Sequence, residues 1–293
     1  MPVLDELSLR LPSEVVELHD DRLRQRKVRL LLKRDDLIHP ELTGNKWRKL
    51  KYNLARAAEQ GAPSLLTFGG AYSNHIRATA AAGHYLGFKT VGVIRGEEHV
   101  PLNESLAHAA AHGMTLTYMD RSTYRRKMDP EIIEGLQKRF GDFFLLPEGG
   151  SNADALDGCA EIVREIDEEF DLLCCPCGTG GTLAGVSAGL RDGQRALGFS
   201  VLKGGNFLCG EVSRLQRQRY GRPLDNWSIE CSFHFGGFAR CNAELTAFID
   251  SFEDTHGLRL EWIYVAKMMY GIFALVDREV IGEGTTLVAL ITG

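Results

Sequence analysis

The stretch that decides the fold is DLLCCPCGTGGTLAG, residues 171–185. Residues 172–175 form a short apolar run that reads as a strand. Glycines at 178, 180 and 181 then let the backbone turn sharply, and Thr182-Leu183-Ala184-Gly185 opens a helix. A strand feeding a helix through such a turn is a unit of parallel α/β layers. The free N–H groups and positive dipole end of that helix, approached by glycines, make a cradle for phosphate. Thr179 and Thr182 add hydroxyl donors. No Gly-Lys-Ser/Thr follows, so the loop is not a P-loop. Counted from Gly178, Leu183 stands where a G-x-G-x-x-G dinucleotide fingerprint needs its last glycine. A nucleotide-binding protein is therefore a poor reading.

Working outward, short β-rich runs alternate with helical stretches along most of the 293 residues, which predicts an α/β fold with largely parallel sheets. Early strands are predicted over 28–33, 65–68, 90–94, 115–119 and 143–146, and later ones over 172–175, 199–203, 228–233 and 287–291. Helices are predicted over 46–59, 76–85, 102–112, 130–140 and 153–169. The first keeps helical spacing at Trp47, Leu50, Leu54, Ala57 and Ala58, with Thr43-Gly44-Asn45 as its cap and Gly61 and Pro63 ending it. Residues 65–146 read as a compact βαβαβαβ unit closing at Pro147-Glu148-Gly149-Gly150-Ser151-Asn152, a turn suited to a crossing between domains. We expect residues 1–52 and 151–293 to form a large domain and 53–150 a small inserted one.

Composition narrows the function. Apolar residues make up 44% and charged residues 25%, which excludes a disordered chain. The net charge of −5 argues against a nucleic-acid binder, and the basic cluster from Arg121 to Lys127 reads as a solvated face. No apolar h-region opens the chain, and no apolar run approaches the ~18 residues of a membrane span. A soluble, cytoplasmic protein is expected. Seven scattered cysteines fit free thiols. Cys174 and Cys175 would point to opposite faces of their strand, and no second CxxC or histidine pair completes a zinc set with Cys177. No metal is expected.

Two further turns carry polar chemistry. Gly44-Asn45-Lys46-Trp47-Arg48-Lys49 places three cations at a helix start, where the dipole disfavours them. Gly69-Gly70-Ala71-Tyr72-Ser73-Asn74-His75-Ile76-Arg77 leaves a strand and enters an Ala-rich helix. Ser73, Asn74 and the first-turn amides would form an anion site suited to a carboxylate. His75 reads as a helix-start donor.

In order, GNKWRKL at Gly44, GGAYSNHIR at Gly69, GGSN at Gly149 and CGTGGTLAG at Cys177 resemble the 1-aminocyclopropane-1-carboxylate (ACC) deaminase and D-cysteine desulfhydrase family. WIYVAKMMYGIFALV at Trp262 extends the resemblance, which runs from about Lys33 to the C-terminus. It implies the tryptophan synthase β-subunit fold, fold type II of the pyridoxal-phosphate enzymes, with two open, twisted, mostly parallel sheets and flanking helices. It implies that Lys46 holds pyridoxal phosphate as a Schiff base, a role suited to an amine whose pKa falls on desolvation. It also implies that the loop from Cys177 through Gly178, Thr179, Gly180 and Gly181 to Thr182 binds the phosphate. Asn74 would contact the cofactor's 3′-oxygen, and Ser73, Asn74 and His75 would hold the substrate carboxylate. Tyr264 matches an active-site tyrosine, and Lys49 a second lysine near the cofactor. Lys46, Ser73 and Tyr264 are the catalytic candidates. A homodimer acting on a small amino acid is the family expectation.

Three positions depart from the family pattern. Phe238 stands where a tyrosine is usual, and a phenyl ring can neither donate nor accept a proton. Val265 stands where ACC deaminases carry a glutamate facing the pyridine nitrogen. The chain ends Leu290-Ile291-Thr292-Gly293, with Thr292 as the remaining partner for that nitrogen. A carboxylate there would keep the ring protonated and strengthen the electron sink, whereas a hydroxyl leaves it largely neutral. A weaker sink suits β-elimination, in which electrons depart with a leaving group. The resemblance therefore favours elimination of D-cysteine to a 2-oxo acid, ammonia and sulfide over opening of the ACC ring to 2-oxobutanoate. A non-catalytic cofactor or amino-acid binder is the rival from another class, since Phe238 and Val265 both remove polar function.

Overall fold

The computed structural model describes residues 7–42 and 44–292. The chain opens with β1 (Val15–Leu18), α1 (Asp21–Gln25) and β2 (Arg29–Arg34), then enters the long helix α2 (Lys46–Glu59). A regular alternation follows: β3 (Ser64–Gly69), α3 (Asn74–Leu86), β4 (Lys89–Arg95), α4 (Glu104–Ala111) and β5 (Thr115–Met119). Helices α5 (Arg121–Arg125) and α6 (Pro130–Phe140) lead to β6 (Phe144–Leu146), and α7 (Ala153–Arg164) leads to β7 (Leu172–Cys177). Next come α8 (Gly181–Gly189), β8 (Arg195–Ser200), α9 (Leu208–Tyr220) and β9 (Trp227–Glu230). The chain closes with α10 (Ala243–His256), α11 (Val265–Asp277) and β10 (Thr286–Ile291).

Two open sheets result. The larger runs β1-β2-β10-β7-β8-β9 and the smaller β5-β4-β3-β6. Every pairing is parallel except β1 with β2. The last strand lies between the second and the seventh, with Leu287 opposite both Leu30 and Leu172. The first strands are thereby bound into the sheet of the second half of the chain. Cys174 belongs to one core of the large sheet, while Cys175 and Cys177 belong to the core on its other face. That alternation is the one expected of a strand.

Helix α2 covers the range expected for it, although Thr43 of its expected cap lies outside the described residues. Its apolar face, Trp47, Leu50, Leu54 and Ala57, packs with Leu65, Ala78 and Ala81 of the small-sheet layer. Its first turn is tied to the large sheet by buried charge. Arg48 pairs with Asp35 at 3.0 Å and with Glu165, and Lys33 reaches Glu165 at 3.0 Å and the Ser13 carbonyl at 2.6 Å. Gly158 of α7 lets the helices close up, since a Cβ there would come within 1.9 Å of the Arg48 carbonyl oxygen.

Several boundaries differ from the expected ones for local reasons. Helix α4 starts at Glu104 rather than 102, because Asn103 caps it by accepting from the Leu106 N–H at 2.9 Å. Helix α7 stops at Arg164 rather than 169, and the Glu165 carboxylate turns inward to Arg48 and Lys33. The strand expected over 199–203 is β8 over Arg195–Ser200, its register set by parallel neighbours on both sides. The chain leaves the sheet there, with Gly204 at φ 74°. The basic cluster needs a correction: Arg121, Arg125 and Arg126 are exposed as expected, but Lys127 leaves solvent to pair with Glu148 at 3.0 Å.

Candidate active site

The C-terminal ends of parallel strands are where an open α/β sheet leaves a crevice. Here the ends of β3, β4 and β6 meet the end of β7, and a cavity of about 910 Å³ lies between them. Its wall carries Lys46, Lys49, Ser73, Asn74, His75, Cys177, Gly178, Thr179, Gly180, Thr182, Phe238, Tyr264 and Thr292. All but one of the residues singled out from the sequence are thus brought together. Gly181 is the exception. It sits behind the wall under Ser151, whose Oγ would lie 2.3 Å from a Cβ at that position.

Lys46 is the first residue of α2, and its amine donates to Asn45 Oδ1 at 3.2 Å. Burial, with the nearby charge of Lys49, pushes its pKa down to about 7. Lys49, one turn on, donates to the Gly149 carbonyl and to Ser151 Oγ, both at 3.2 Å. Burial lowers its pKa as well. Neither amine has a carboxylate partner among the described residues, so whatever charge Lys49 and Lys46 carry favours an anion in the cavity.

The glycine loop adds a second anion-seeking element. Gly180 is left-handed at φ 78°, where a side chain would be strained and would strike Val212 Cγ2 at 2.8 Å. The loop delivers the N-terminus of α8, with its free N–H groups, to the cavity. Its hydroxyls are held in place: Ser151 Oγ and Thr179 Oγ1 lie 2.6 Å apart, and Asn45 Nδ2 donates to Thr182 Oγ1 at 2.8 Å. The GGSN turn is therefore part of the site wall as well as a crossing.

Across the cavity, Ser73 caps α3, its Oγ accepting from the Ile76 N–H at 3.4 Å, so this helix too points its N-terminus at the site. His75 is buried, with Nε2 2.9 Å from Thr67 Oγ1 and no hydrogen-bond partner for Nδ1 among the described residues. Burial and the charges of Lys46 and Lys49 hold its pKa well below the usual histidine range, so it is neutral. The Tyr264 ring centroid is 5.9 Å from Lys46 Nζ, and Phe238 packs edge-on against that ring at 5.9 Å. Glu261 fixes Tyr264 by accepting from the Ile263 and Tyr264 N–H groups, both at 2.7 Å. Thr292 is buried, and Gly44 packs so closely that a Cβ would meet the Thr292 carbonyl oxygen at 1.3 Å.

Sequence reasoning missed Asn45 as a wall residue, and also Arg95, Lys127 and Glu148. Asn45 was legible from its place beside Lys46. The other three lie at strand ends and in a loop, and only the sheet order brings them to the cavity. The two carboxylates on the wall, Glu148 and Glu211, are each paired, with Lys127 at 3.0 Å and Arg214 at 2.9 Å.

Two mostly parallel sheets around a crevice that offers a lysine amine of lowered pKa and a glycine-lined turn at a helix N-terminus define a pyridoxal-phosphate enzyme of fold type II. Residues 10–212 match the family model described as pyridoxal-phosphate dependent enzyme, and the chain belongs to that family. A solved ACC deaminase homologue superposes with a TM-score of 0.85 at 26% identity, covering 100% of this chain and 93% of its own. The bifunctional D-cysteine desulfhydrase/1-aminocyclopropane-1-carboxylate deaminase of Arabidopsis thaliana is 29% identical, covering 85% of this chain and 68% of its own. D-cysteine desulfhydrase of Yersinia pestis is 26% identical, covering 95% of this chain and 89% of its own. The protein is a pyridoxal-phosphate-dependent enzyme.

Proposed function

We propose that the enzyme carries out D-cysteine desulfhydrase-like β-elimination, yielding pyruvate, ammonia and sulfide. The observation that carries this reading is that no unpaired carboxylate lines the cavity among the described residues, Val265 being buried and apolar. Bound pyridoxal phosphate supplies the electron sink for the substrate's Cα bonds. Lys46 would anchor the cofactor, and its amine, with a pKa near 7, is suited to hold the Cα proton at neutral pH. The Gly178–Thr182 loop, with Cys177 before it and Lys49 opposite, holds the phosphate. The Ser73 hydroxyl, Asn74 and the first amides of α3 hold the substrate carboxylate, with neutral His75 beside them. Asn74 would also serve the cofactor's 3′-oxygen, and the Thr292 hydroxyl would be the partner for its ring nitrogen. Tyr264 is the one phenol beside Lys46, and Phe238 shapes the substrate side.

ACC deamination is the second reading, favoured by the double activity in the Arabidopsis relative's name. Assay of the purified holoenzyme with both substrates separates the two. Sulfide and pyruvate from D-cysteine are expected, and turnover of ACC alone reverses the ranking. Lys46→Ala should lower turnover by about a thousandfold and abolish the near-visible absorbance of the lysine-bound cofactor.

The working form we infer is a cytoplasmic homodimer, its chain divided into a large domain of residues 1–52 and 151–293 and a small one of 53–150. Support comes from the two separate sheets, from the prevalence of twofold assemblies, and from the lack of any described helix long and apolar enough to cross a membrane. Sedimentation velocity tests the dimer.

A further inference from the structure

One charge on the cavity wall is left over after the cofactor and the substrate carboxylate have been provided for. The wall carries five lysine and arginine side chains: Lys46, Lys49, Arg95, Lys127 and Arg214. Lys127 and Arg214 are matched by Glu148 and Glu211, and Lys46 and Lys49 face the cofactor cradle. Arg95 has neither role. It is the last residue of β4, next in the sheet to β3, and its Nη2 would lie 3.6 Å from a Cβ at Gly70. It therefore stands against the loop that leads into Ser73.

Arg95 is itself exposed, at the mouth of the cavity, and rests on a buried ring. The Tyr124 ring, itself buried, underlies two cations at once, with Lys127 Nζ 4.6 Å and Arg95 Cζ 5.8 Å from its centroid. Lys127 has its carboxylate at 3.0 Å, and Arg95 makes no ion pair among the described residues. A guanidinium supported by an aromatic ring at a cavity edge, with no protein anion to engage, is suited to bidentate capture of a ligand oxyanion. Gly70 leaves the approach open, since nothing but the arginine would meet a side chain there.

We propose that Arg95 is a specificity residue, which selects amino acids whose side chain ends in an anionic group. This inference rests on the amino-acid-eliminating reading above and names the substrate class of that same site. ACC has no side-chain anion to offer, and D-cysteine offers one only when its thiol is ionised, with a single sulfur in place of two oxygens.

Titrating the holoenzyme with aspartate and with alanine, each as both enantiomers, and following the cofactor's absorbance tests this without requiring turnover. The expected result is that aspartate of one configuration binds about tenfold more tightly than the matching alanine. The ratio should fall to near one in Arg95→Gln and recover in part in Arg95→Lys. A ratio near one in the unaltered enzyme, or a ratio that survives in Arg95→Gln, overturns the proposal. Equal weakening of both ligands by Arg95→Gln also overturns it, because the guanidinium would then hold the α-carboxylate. If neither amino acid perturbs the spectrum while the cofactor is bound, this proposal falls, and the amino-acid reading falls with it only if D-cysteine and ACC also leave the spectrum unchanged. Failure of the ratio alone leaves that reading intact.

Discussion

Lys46 stands at the start of a helix, in poorly hydrated surroundings and one turn from a second cation, and both influences favour its neutral amine. The sign is clear: a lysine held near 7 is half deprotonated at neutral pH, where an ordinary lysine near 10.5 is almost wholly protonated. In cofactor-stripped protein, amine-selective acylation followed by peptide mass spectrometry should therefore find Lys46 half-maximally reactive near pH 7. The exposed lysines should follow some three units higher. A Lys46 profile that coincides with theirs would refute its assignment as the neutral-pH base. Glu261 makes a second residue-scale case. Its carboxylate occupies the N–H groups that open α11 and so sets the direction of Tyr264. Removing it in Glu261→Ala strips the acceptor from buried donors, at a cost of about 1–3 kcal/mol. Denaturant unfolding measures that cost, and a wild-type midpoint would mean that water replaces the carboxylate.

At the scale of the element, α2 carries the most. Its apolar stripe was legible because helical spacing repeats at Trp47, Leu50, Leu54 and Ala57, and each of these is buried against the small-sheet layer. Why three cations crowd its dipole-disfavoured first turn was not legible as fold. The structure gives separate answers for each: Arg48 turns back to Asp35 and Glu165, while Lys46 and Lys49 face the cavity. Glu165 lies 117 positions from Arg48, so no local pattern announces that pair. Truncating one member of a buried ion cluster leaves uncompensated charge, and Arg48→Ala should cost about 3–5 kcal/mol. Arg56, on the exposed side of the same helix, pairs with Asp154 in water, and Arg56→Ala should cost at most about 1 kcal/mol. Urea midpoints of the two variants check the contrast, and equal losses would refute the structural role given to the cluster. The same locality explains what was missed elsewhere. Strand β1 is a short, partly exposed edge, and the α9 wall of the cavity has no motif at all.

For the whole molecule, the decisive feature is that no single segment owns the site. The amine comes from α2, the glycine loop from the β7–α8 turn, a second helix N-terminus from α3 and the hydroxyl of Thr292 from the end of strand β10. The motifs could be recognised one by one in the sequence because each is a contiguous turn. Arg95 and Lys127 could not, because sheet order alone brings them to the cavity. A ligand gripped by parts so far apart in the chain binds the folded state and has little affinity for the unfolded one, so it must stabilise the fold by mass action. At a hundred times its Kd the cofactor should add about 2.7 kcal/mol, which for a chain of this size raises Tm by several degrees. If the glycine loop and Lys49 hold the phosphate as proposed, Lys46→Ala should keep part of the rise, and inorganic phosphate should give a smaller rise through the same cradle. Differential scanning calorimetry of stripped protein across a cofactor titration measures all three. A Tm indifferent to pyridoxal phosphate would mean that these elements do not converge on one ligand, and the assignment of the cavity would fail with it.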